Sequence, residues 1–486
     1  MTDTEAGIAG RVVELVRRLA GPDAQAEVGV TRRRLALTRF ANSFIHQNVD
    51  EVAVSVRLRL HVDGRTATGG GSLVDPDGLT ALVERTLAAA RLCPPDQDWP
   101  GLLAPTPVPA GPAWDDPTGH AEPDDRAERV RAFVAAAGGL ETAGYCRTSA
   151  TVEAFANSAG HAATGRSAAA AMDGIARAGG ADGVARLGVD RLADLDGAAL
   201  GARAAAKARA AADPVELPPG RYEVVFEPTA VADLLENLSW YGFNGKRHAE
   251  RQSFAEPGTA QFDPAVTLVD DPLHGSHMPF DSEGTARRAL TLVDGGTTRA
   301  LAYDRRSAAE AGAESTGHGM PGAATFGPVP HNLRLLPATN GAAPNGAGPN
   351  GGAADGAATH GGAATGGTDP GGVTGAVADP ETAALVAGMT RGLLVSDLWY
   401  TRVLDPKSLV ITGLTRNGVW LVEDGVPVRA VRDLRFTEAY PRALGPGAVL
   451  GLGTRAVRLP DRDDGVWWEA PPVRLASWNF TGGASG

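Results

Sequence analysis

The sequence predicts an α+β fold in two domains: an N-terminal helix and antiparallel-sheet domain at residues 1–215, and a β-rich C-terminal domain at residues 216–486. Two observations predict this. Segments with the apolar spacing of helices flank long segments in which polar and apolar residues alternate, as they do in strands. With 486 residues, the chain is also long enough for each domain to bury its own core.

The N-terminal domain begins with a predicted helix over residues 5–20. Its apolar residues share one side: Ile8, Val12, Leu15, Val16 and Leu19. Alternating segments at 34–41, 43–49 and 51–72 predict strands, the last with a turn at Asp63-Gly64. Residues 76–93 return to helical spacing. The pattern therefore predicts a layer of helices on a sheet.

In the rest of the chain, predicted strands again alternate with predicted helices. Residues 94–123 are proline-rich and predict an extended connection before a helix at 124–138. A strand meander with turns at "NSAG" and near Gly165 precedes an alanine-rich helix at 196–213. The strand "RYEVVFEP" then leads into the helical stretch "VADLLENLSWYGFNGKRHAE". Strands broken by glycine, proline and aspartate follow.

Residues 340–376 contain almost no large apolar residue. Such a segment cannot bury enough surface to offset the entropy lost on ordering. We therefore expect a disordered insertion in a surface loop. The last 110 or so residues resume strand patterns, with a turn at Glu423–Gly425 and a short helix near 438–444.

Composition excludes several classes of protein. The net charge is −12 and no sustained run of Lys and Arg is present, which argues against direct binding of nucleic acid. The only cysteines are Cys93 and Cys146, too few for a disulfide scaffold or a zinc site built on cysteines. The N-terminus has no apolar core of the signal-peptide type, and no apolar run reaches membrane-spanning length. We expect a cytoplasmic protein without a membrane partner.

The ten histidines offer few metal-binding patterns. None is spaced at i, i+4 with another, and His248 and Glu250 point to different sides of a helix. The segment 270–284 has more candidate ligands: Asp270, Asp271, His274, His277, Asp281 and Glu283. A divalent-metal site, contacts with a substrate or partner, and an ordinary exposed loop all stay open there. Ser315, Thr316 and His318 lie in a glycine-rich turn, where a backbone-shaped binding loop is favoured over a nucleophile and its base.

Several segments, taken in order, resemble one known family. They are "NSFIHQNVDEVAVSVRLRLHVDGRTATGGGS", "FANSAG" with "GRSAAAAMDGIARAGGADG", "GRYEVVFEPTAVADLLENL", "VTLVDDP" with "PFDSEGTARRALTLVDGG", "STGHG" and "GVWLVEDGVPVRAVRDLRFTEAY". Each is weakly specific alone, but their order is that of the TldD/PmbA proteins, also called modulators of DNA gyrase. The resemblance covers roughly residues 40–455 apart from the insertion. It implies a barrel-like C-terminal domain with a helix corresponding to the metallopeptidase helix.

The family has two kinds of member. The TldD kind resembles a zinc metallopeptidase, with an H-E-x-x-x-H helix and a C-terminal Cys ligand, whereas the TldE/PmbA kind lacks these groups and pairs with TldD. Here Glu236 and Tyr241 stand near the two His positions, Asn237 stands at the general base, and no Cys follows Cys146. Tyr and a lone Glu are poor zinc ligands, and Asn cannot accept a proton as the catalytic Glu does.

The resemblance therefore implies a TldE/PmbA-like subunit that binds no metal itself. It implies a heterodimer with a TldD-like zinc subunit, acting in the cytoplasm on short or unfolded peptides. The candidate substrate-contacting residues lie on loops that we expect to be exposed: Asp281, Glu283, Ser315, Thr316 and His318. Two alternatives stay open: a stand-alone peptidase or amidohydrolase that uses the 270–284 segment as a metal site, and a regulatory adaptor.

Overall fold

The computed structural model describes residues 4–112, 114–275, 277–337, 373–377, 379–461 and 466–483. The strands are β1 Gln25–Ala41, β2 Phe44–Val62, β3 Arg65–Gly71, β4 Glu141–Asn157, β5 Ala162–Ala178, β6 Ala181–Val189, β7 Gly220–Phe226, β8 Val266–Asp270, β9 Leu290–Asp294, β10 Thr297–Thr298, β11 Leu333–Pro337, β12 Arg391–Asp405, β13 Val410–Glu423, β14 Val426–Ala430, β15 Leu434–Ala439, β16 Val449–Leu452, β17 Val457–Pro460, β18 Trp467–Ala470 and β19 Val473–Gly483. The helices are α1 Glu5–Ala20, α2 Pro76–Leu92, α3 Asp116–Gly119, α4 Pro123–Ala136, α5 Gly197–Ala210, α6 Pro228–Tyr241, α7 Gly245–Ala249, α8 Arg305–Ala311, α9 Ala323–Phe326, α10 Pro380–Ala387 and α11 Tyr440–Ala443. The α+β class is confirmed.

The N-terminal sheet is antiparallel, with strand order β3-β2-β1-β4-β5-β6. One face of β1 carries Val28, Val30 and Phe40, all buried against helices α1, α2, α4 and α5. Alternation places Glu27 on the opposite face, which meets segments from the C-terminal half of the chain. The sheet therefore has a helix-covered side and a side available to the rest of the molecule.

Three local predictions for this region were wrong. The segments 43–49 and 51–72 do not form separate strands, since β2 runs without a break from Phe44 to the turn at Asp63-Gly64. Gly165 lies inside β5, paired with Glu153, and the turn is at Gly179-Gly180, where both φ angles are positive. The proline-rich connection is interrupted by the short helix α3.

The C-terminal half contains a closed barrel. Its strands follow the order β12-β7-β19-β15-β13, and β13 pairs back with β12. Strands β14 and β16 extend the barrel at β13 and β19. A second sheet has the order β10-β9-β8-β11-β18-β17. The barrel-like C-terminal half is confirmed, whereas the division of the chain at residue 215 remains a prediction.

The insertion predicted at 340–376 can be compared only at its end, because residues 338–372 lie outside the described part of the chain. Val373–Ala376 form a 3-10 turn, and Ala376 is fully buried against α5 and β14. The small side chain of Ala376 thus fills a gap in a core at the end of this segment, and the disorder expected of the insertion stays a prediction. No helix in the described ranges is both long and apolar enough to span a membrane.

Candidate functional site

Helix α6 places the residues of greatest interest. It follows β7 directly, has Pro228 in its first turn, where a missing N–H costs nothing, and ends before Gly242. Leu234, Leu235 and Leu238 are buried in the large core of the C-terminal half. The opposite side carries Asp233 and Glu236, three residues apart and therefore neighbours on the helix surface. One helix thus joins the core to a polar surface.

That polar surface lines a cleft of about 150 Å³ between the two halves of the chain. The N-terminal sheet supplies Tyr145, Asp173 and Arg186. The remaining lining residues come from α6, from β12 and from the β17–β18 region: Thr229, Ala232, Asp233, Glu236, Asp397, Leu398, Trp399, Leu459, Pro460, Asp461 and Trp468. The cleft is therefore assembled from segments distant in sequence.

Arg186 is the cationic centre of this cleft. Its guanidinium lies 2.8 Å from Asp173 Oδ2 and 3.1 Å from Asp397 Oδ1, and Asn417 donates to the second Asp397 oxygen at 2.8 Å. Burial alone would lower the pKa of Arg186, but Asp397 and Asp173 raise it above its usual value. Burial raises the pKa of Asp173 despite the opposing charge of Arg186. These groups form a tight ionic unit across the two halves.

Asp233 is in a different position. Burial raises its pKa to about 7, and the negative charges of Glu236 and Asp397 act in the same direction. Its Oδ1 atom is buried and has no hydrogen-bond partner among the described residues. The Thr401 hydroxyl is close enough to lower the pKa, yet the two groups do not meet in a hydrogen bond of good geometry. Because a hydrogen bond depends steeply on angle and distance, the Thr401 hydroxyl stabilises this carboxylate only weakly.

The residues that the family resemblance puts near the ligand and base positions do not converge. Glu236 faces the cleft, whereas the Asn237 side chain is buried and donates to the Asp233 carbonyl at 2.9 Å. Tyr241 is the last residue of α6 and is exposed. In the described part of the chain, no three His, Cys, Asp or Glu side chains lie close enough to hold a metal ion. The residues present therefore do not fit a zinc ion.

The candidate ligands of segment 270–284 are dispersed. Asp270 lies 3.0 Å from His318, His274 lies 3.3 Å from Glu469, and His277 contacts Arg287. Each of these three side chains is directed to a different partner. No three potential ligands of this segment come together among the residues that the structure describes, and a metal site there stays a hypothesis that this geometry does not support.

The expectation that these loops are exposed was also wrong. Asp281, Glu283 and His318 are 1%, 2% and 6% exposed. Asp281 accepts hydrogen bonds from the backbone N–H groups of Glu283, Thr285 and Gly319 at 2.7–2.9 Å. Burial and the charge of Glu283 raise its pKa to about 7. A buried carboxylate needs such donors, so the loop folds around its own acidic residues.

Glu283 connects this loop to the N-terminal sheet. Its Oε1 lies 2.8 Å from Arg59, which lies 2.7 Å from Glu27, and Arg305 reaches Glu27 at 3.0 Å. Ser315 and Thr316 both donate to the Tyr303 carbonyl, at 3.3 and 3.1 Å. All five predicted substrate-contacting residues thus have protein partners, and their role toward a substrate stays a prediction.

Sequence reasoning missed Asp173, Arg186 and Asp397. One signal for Asp397 was available: it is a lone acidic residue within the apolar run "LLVSDLWY", and a charge at a buried strand position requires a partner. Asp173 gave a similar signal, as a lone acidic residue within "AAAAMDGIA", whereas Arg186 lies among alternating residues of a strand and gave none.

Comparison with known proteins decides the family. The family model described as the PmbA/TldA metallopeptidase C-terminal domain matches residues 219–482, which is more than half of the chain. The chain belongs to the TldD/PmbA family. Among solved structures, TldE from Thermococcus kodakarensis is similar over 98% of this chain and 100% of its own, with 18% identity and a TM-score of 0.78.

Two proposed modulators of DNA gyrase share the fold of this TldD/PmbA family member. The protein from Thermotoga maritima is 16% identical, with a TM-score of 0.77, over 98% of this chain and 99% of its own. The protein from Bacteroides thetaiotaomicron is 16% identical, with a TM-score of 0.74, over 98% of both chains. No curated protein sequence is significantly similar. At these identities the structures establish a shared fold.

Proposed function

We propose that this chain is the non-metal subunit of a cytoplasmic, heteromeric TldD/TldE-type peptidase that acts on short or unfolded peptides. The observation that supports this most directly is the composition of α6, where the family resemblance puts Glu236 and Tyr241 near the positions of two zinc ligands and Asn237 near that of the general base. Peptide hydrolysis at zinc requires a metal-bound water and a base to accept its proton. A TldD-like partner subunit would supply both.

The contribution of this chain to the assembly would be to shape and charge the space around the substrate. The cleft beside α6 is rigid on two sides, because the Arg186 ion pairs fasten β6 to β12. A fixed wall restricts which peptides enter and in what orientation, and orientation is a large part of catalytic efficiency. The family membership supports the peptidase class, and the side chains on α6 support the non-metal role.

The decisive experiment compares zinc content and proteolysis for three samples: the chain alone, the TldD-like protein of the same genome alone, and the pair purified together. Zinc is measured by elemental analysis and cleavage with an unstructured casein-type peptide. We expect the lone chain to contain no stoichiometric zinc and to be inactive, and the pair to carry about one zinc ion and to cleave.

Two outcomes would contradict the proposal. Stoichiometric zinc with cleavage in the lone chain would make it a peptidase in its own right. Failure to co-purify with the TldD-like protein, together with a different stable partner, would favour the adaptor role. As a control, the pair stripped by a chelator should lose activity and regain it on addition of zinc.

A further inference from the structure

The cleft beside α6 has an excess of negative charge. Five carboxylates line it, and Arg186 is the sole Lys or Arg among its described lining residues. That guanidinium is occupied by Asp173 and Asp397. Carboxylates therefore outnumber cations among the described lining residues of the cleft.

The unsatisfied acceptor lies on the same side. Asp233 Oδ1 is buried without a hydrogen bond of good geometry, and the nearby Thr401 hydroxyl interacts with this carboxyl only at poor geometry. A buried carboxylate oxygen without a donor costs free energy that evolution normally removes. Such a group in a cleft points to a donor that arrives with a ligand.

The shape and walls of the cleft narrow the choice of ligand. A volume of about 150 Å³ holds several water molecules, and so accepts an aminoalkyl group without rearrangement. Trp399, Trp468 and Tyr145 line it. Arg416 already lies over the Trp399 ring and Arg147 near the Tyr145 ring, so Trp468 is the aromatic side chain left to pack against a ligand cation and its carbon chain. A metal ion fits poorly, because no three potential ligands converge within the described residues.

We propose that this cleft binds the primary ammonium group of a peptide, with the carboxylates of Asp233 and Glu236 as acceptors and Trp468 against the attached carbon chain. The ammonium group can belong to a lysine side chain or to the peptide N-terminus. The identification of the ligand as a peptide rests on the proposed function; the preference for an ammonium group rests on the cleft alone.

Binding is measured on the purified chain without any partner, at pH 8, by calorimetry and by tryptophan fluorescence. Three probes separate the sources: Nα-acetyl-lysine amide carries only a side-chain ammonium, norleucine amide only a terminal one, and Nα-acetyl-norleucine amide neither. We expect at least one charged probe to bind tenfold or more tightly than the neutral probe. The tighter of the two charged probes identifies the source.

Variants locate the site. Asp233→Asn and, separately, Glu236→Gln should each weaken binding of the preferred probe by about tenfold or more. Asp294→Asn removes an exposed carboxylate outside the cleft and should leave binding unchanged. Thermal melts of each variant show whether it is folded. If Asp233→Asn does not fold, Glu236→Gln still tests the site.

Equal binding of charged and neutral probes, no binding of any probe, or equal binding by wild type and both cleft variants would overturn the inference. These outcomes are distinct from failure of the proposed function. A chain that binds no ammonium probe but forms an active zinc-containing pair refutes only the proposal that the cleft binds ammonium groups. A chain that binds the probes but forms no peptidase refutes only the subunit role.

Discussion

Replacing Asp233 with asparagine should make the chain more stable at alkaline pH. The carboxyl has a pKa of about 7 in the fold, whereas an ordinary aspartate has 3.8. A difference of about three pKa units corresponds to ~4 kcal/mol. Because Asp233 also borders an open cleft, water screens part of this cost. We therefore expect a gain of about 1–3 kcal/mol at pH 8.

The sign follows from proton linkage. A carboxyl with a raised pKa contributes stability that is complete below its unfolded pKa of 3.8 and is lost as the pH rises through about 7. Asparagine resembles the protonated acid and does not ionise, so the variant escapes this loss. At pH 4.5 the gain should be roughly a quarter of its value at pH 8.

The assay is urea denaturation of wild type and Asp233→Asn at pH 8 and pH 4.5. The exposed Asp294 provides the control, since Asp294→Asn should change stability by less than about 0.5 kcal/mol at either pH. A variant less stable than wild type at pH 8, or an equal gain at both pH values, would refute the account of Asp233 as a desolvated carboxylate. If Asp233→Asn is more stable than wild type and also loses ammonium binding, Asp233 lowers the stability of the fold in exchange for binding the ligand.

Three further predictions concern the rest of the fold. Arg59→Ala leaves the buried carboxylates of Glu27 and Glu283 without a shared cation and should lower the unfolding free energy by about 3 kcal/mol. Denaturation at several pH values should show that this loss becomes smaller as the pH falls. A loss under about 1 kcal/mol would contradict the prediction. Lys207→Met alone should destabilise more than Lys207→Met with Glu227→Gln, because the single change leaves the buried Glu227 with Arg203 as its one remaining cation among the described residues. A double-mutant cycle measures the difference, and a pair no better than the single variant would be evidence against it. Deleting residues 340–370 should lower the melting temperature by less than about 2 °C, whereas a deletion extended through the buried Ala376 should lower it further; equal melting temperatures would disprove the packing role of that residue.

The sequence predicted most elements where one side of a helix or strand is buried. Helix α1 was correctly bounded, because its apolar residues repeat with the helical period. Strand β2 was divided in two because the consecutive polar residues Asp50 and Glu51 interrupt the alternation, in a stretch (44–55) that is largely exposed on both faces. These residues belong to one strand because their backbone groups pair with β1, and the pattern of side chains does not indicate that pairing.

Gly165 shows why a glycine alone is ambiguous. A turn was predicted there, yet the residue lies within a strand and permits close approach by Pro279 and Met278, at 2.8 and 2.9 Å from the position of a Cβ atom. The site shows the same limit on a larger scale. The polar side of α6 was visible in sequence, but its counterparts Arg186 and Asp397 become neighbours only through the packing of distant strands.

Closure of the barrel has a consequence for the order of events during synthesis. Phe226 of β7 pairs with Val473 of β19, so β7 cannot complete its pairing until the ribosome has synthesised β19. At ribosomal rates of about 5–20 residues per second, the wait is roughly 12–50 s. During that time the hydrogen-bonding edge of β7 has no β19 beside it, and an open strand edge invites pairing with the wrong chain. The nascent chain is therefore most vulnerable to aggregation before the barrel can close.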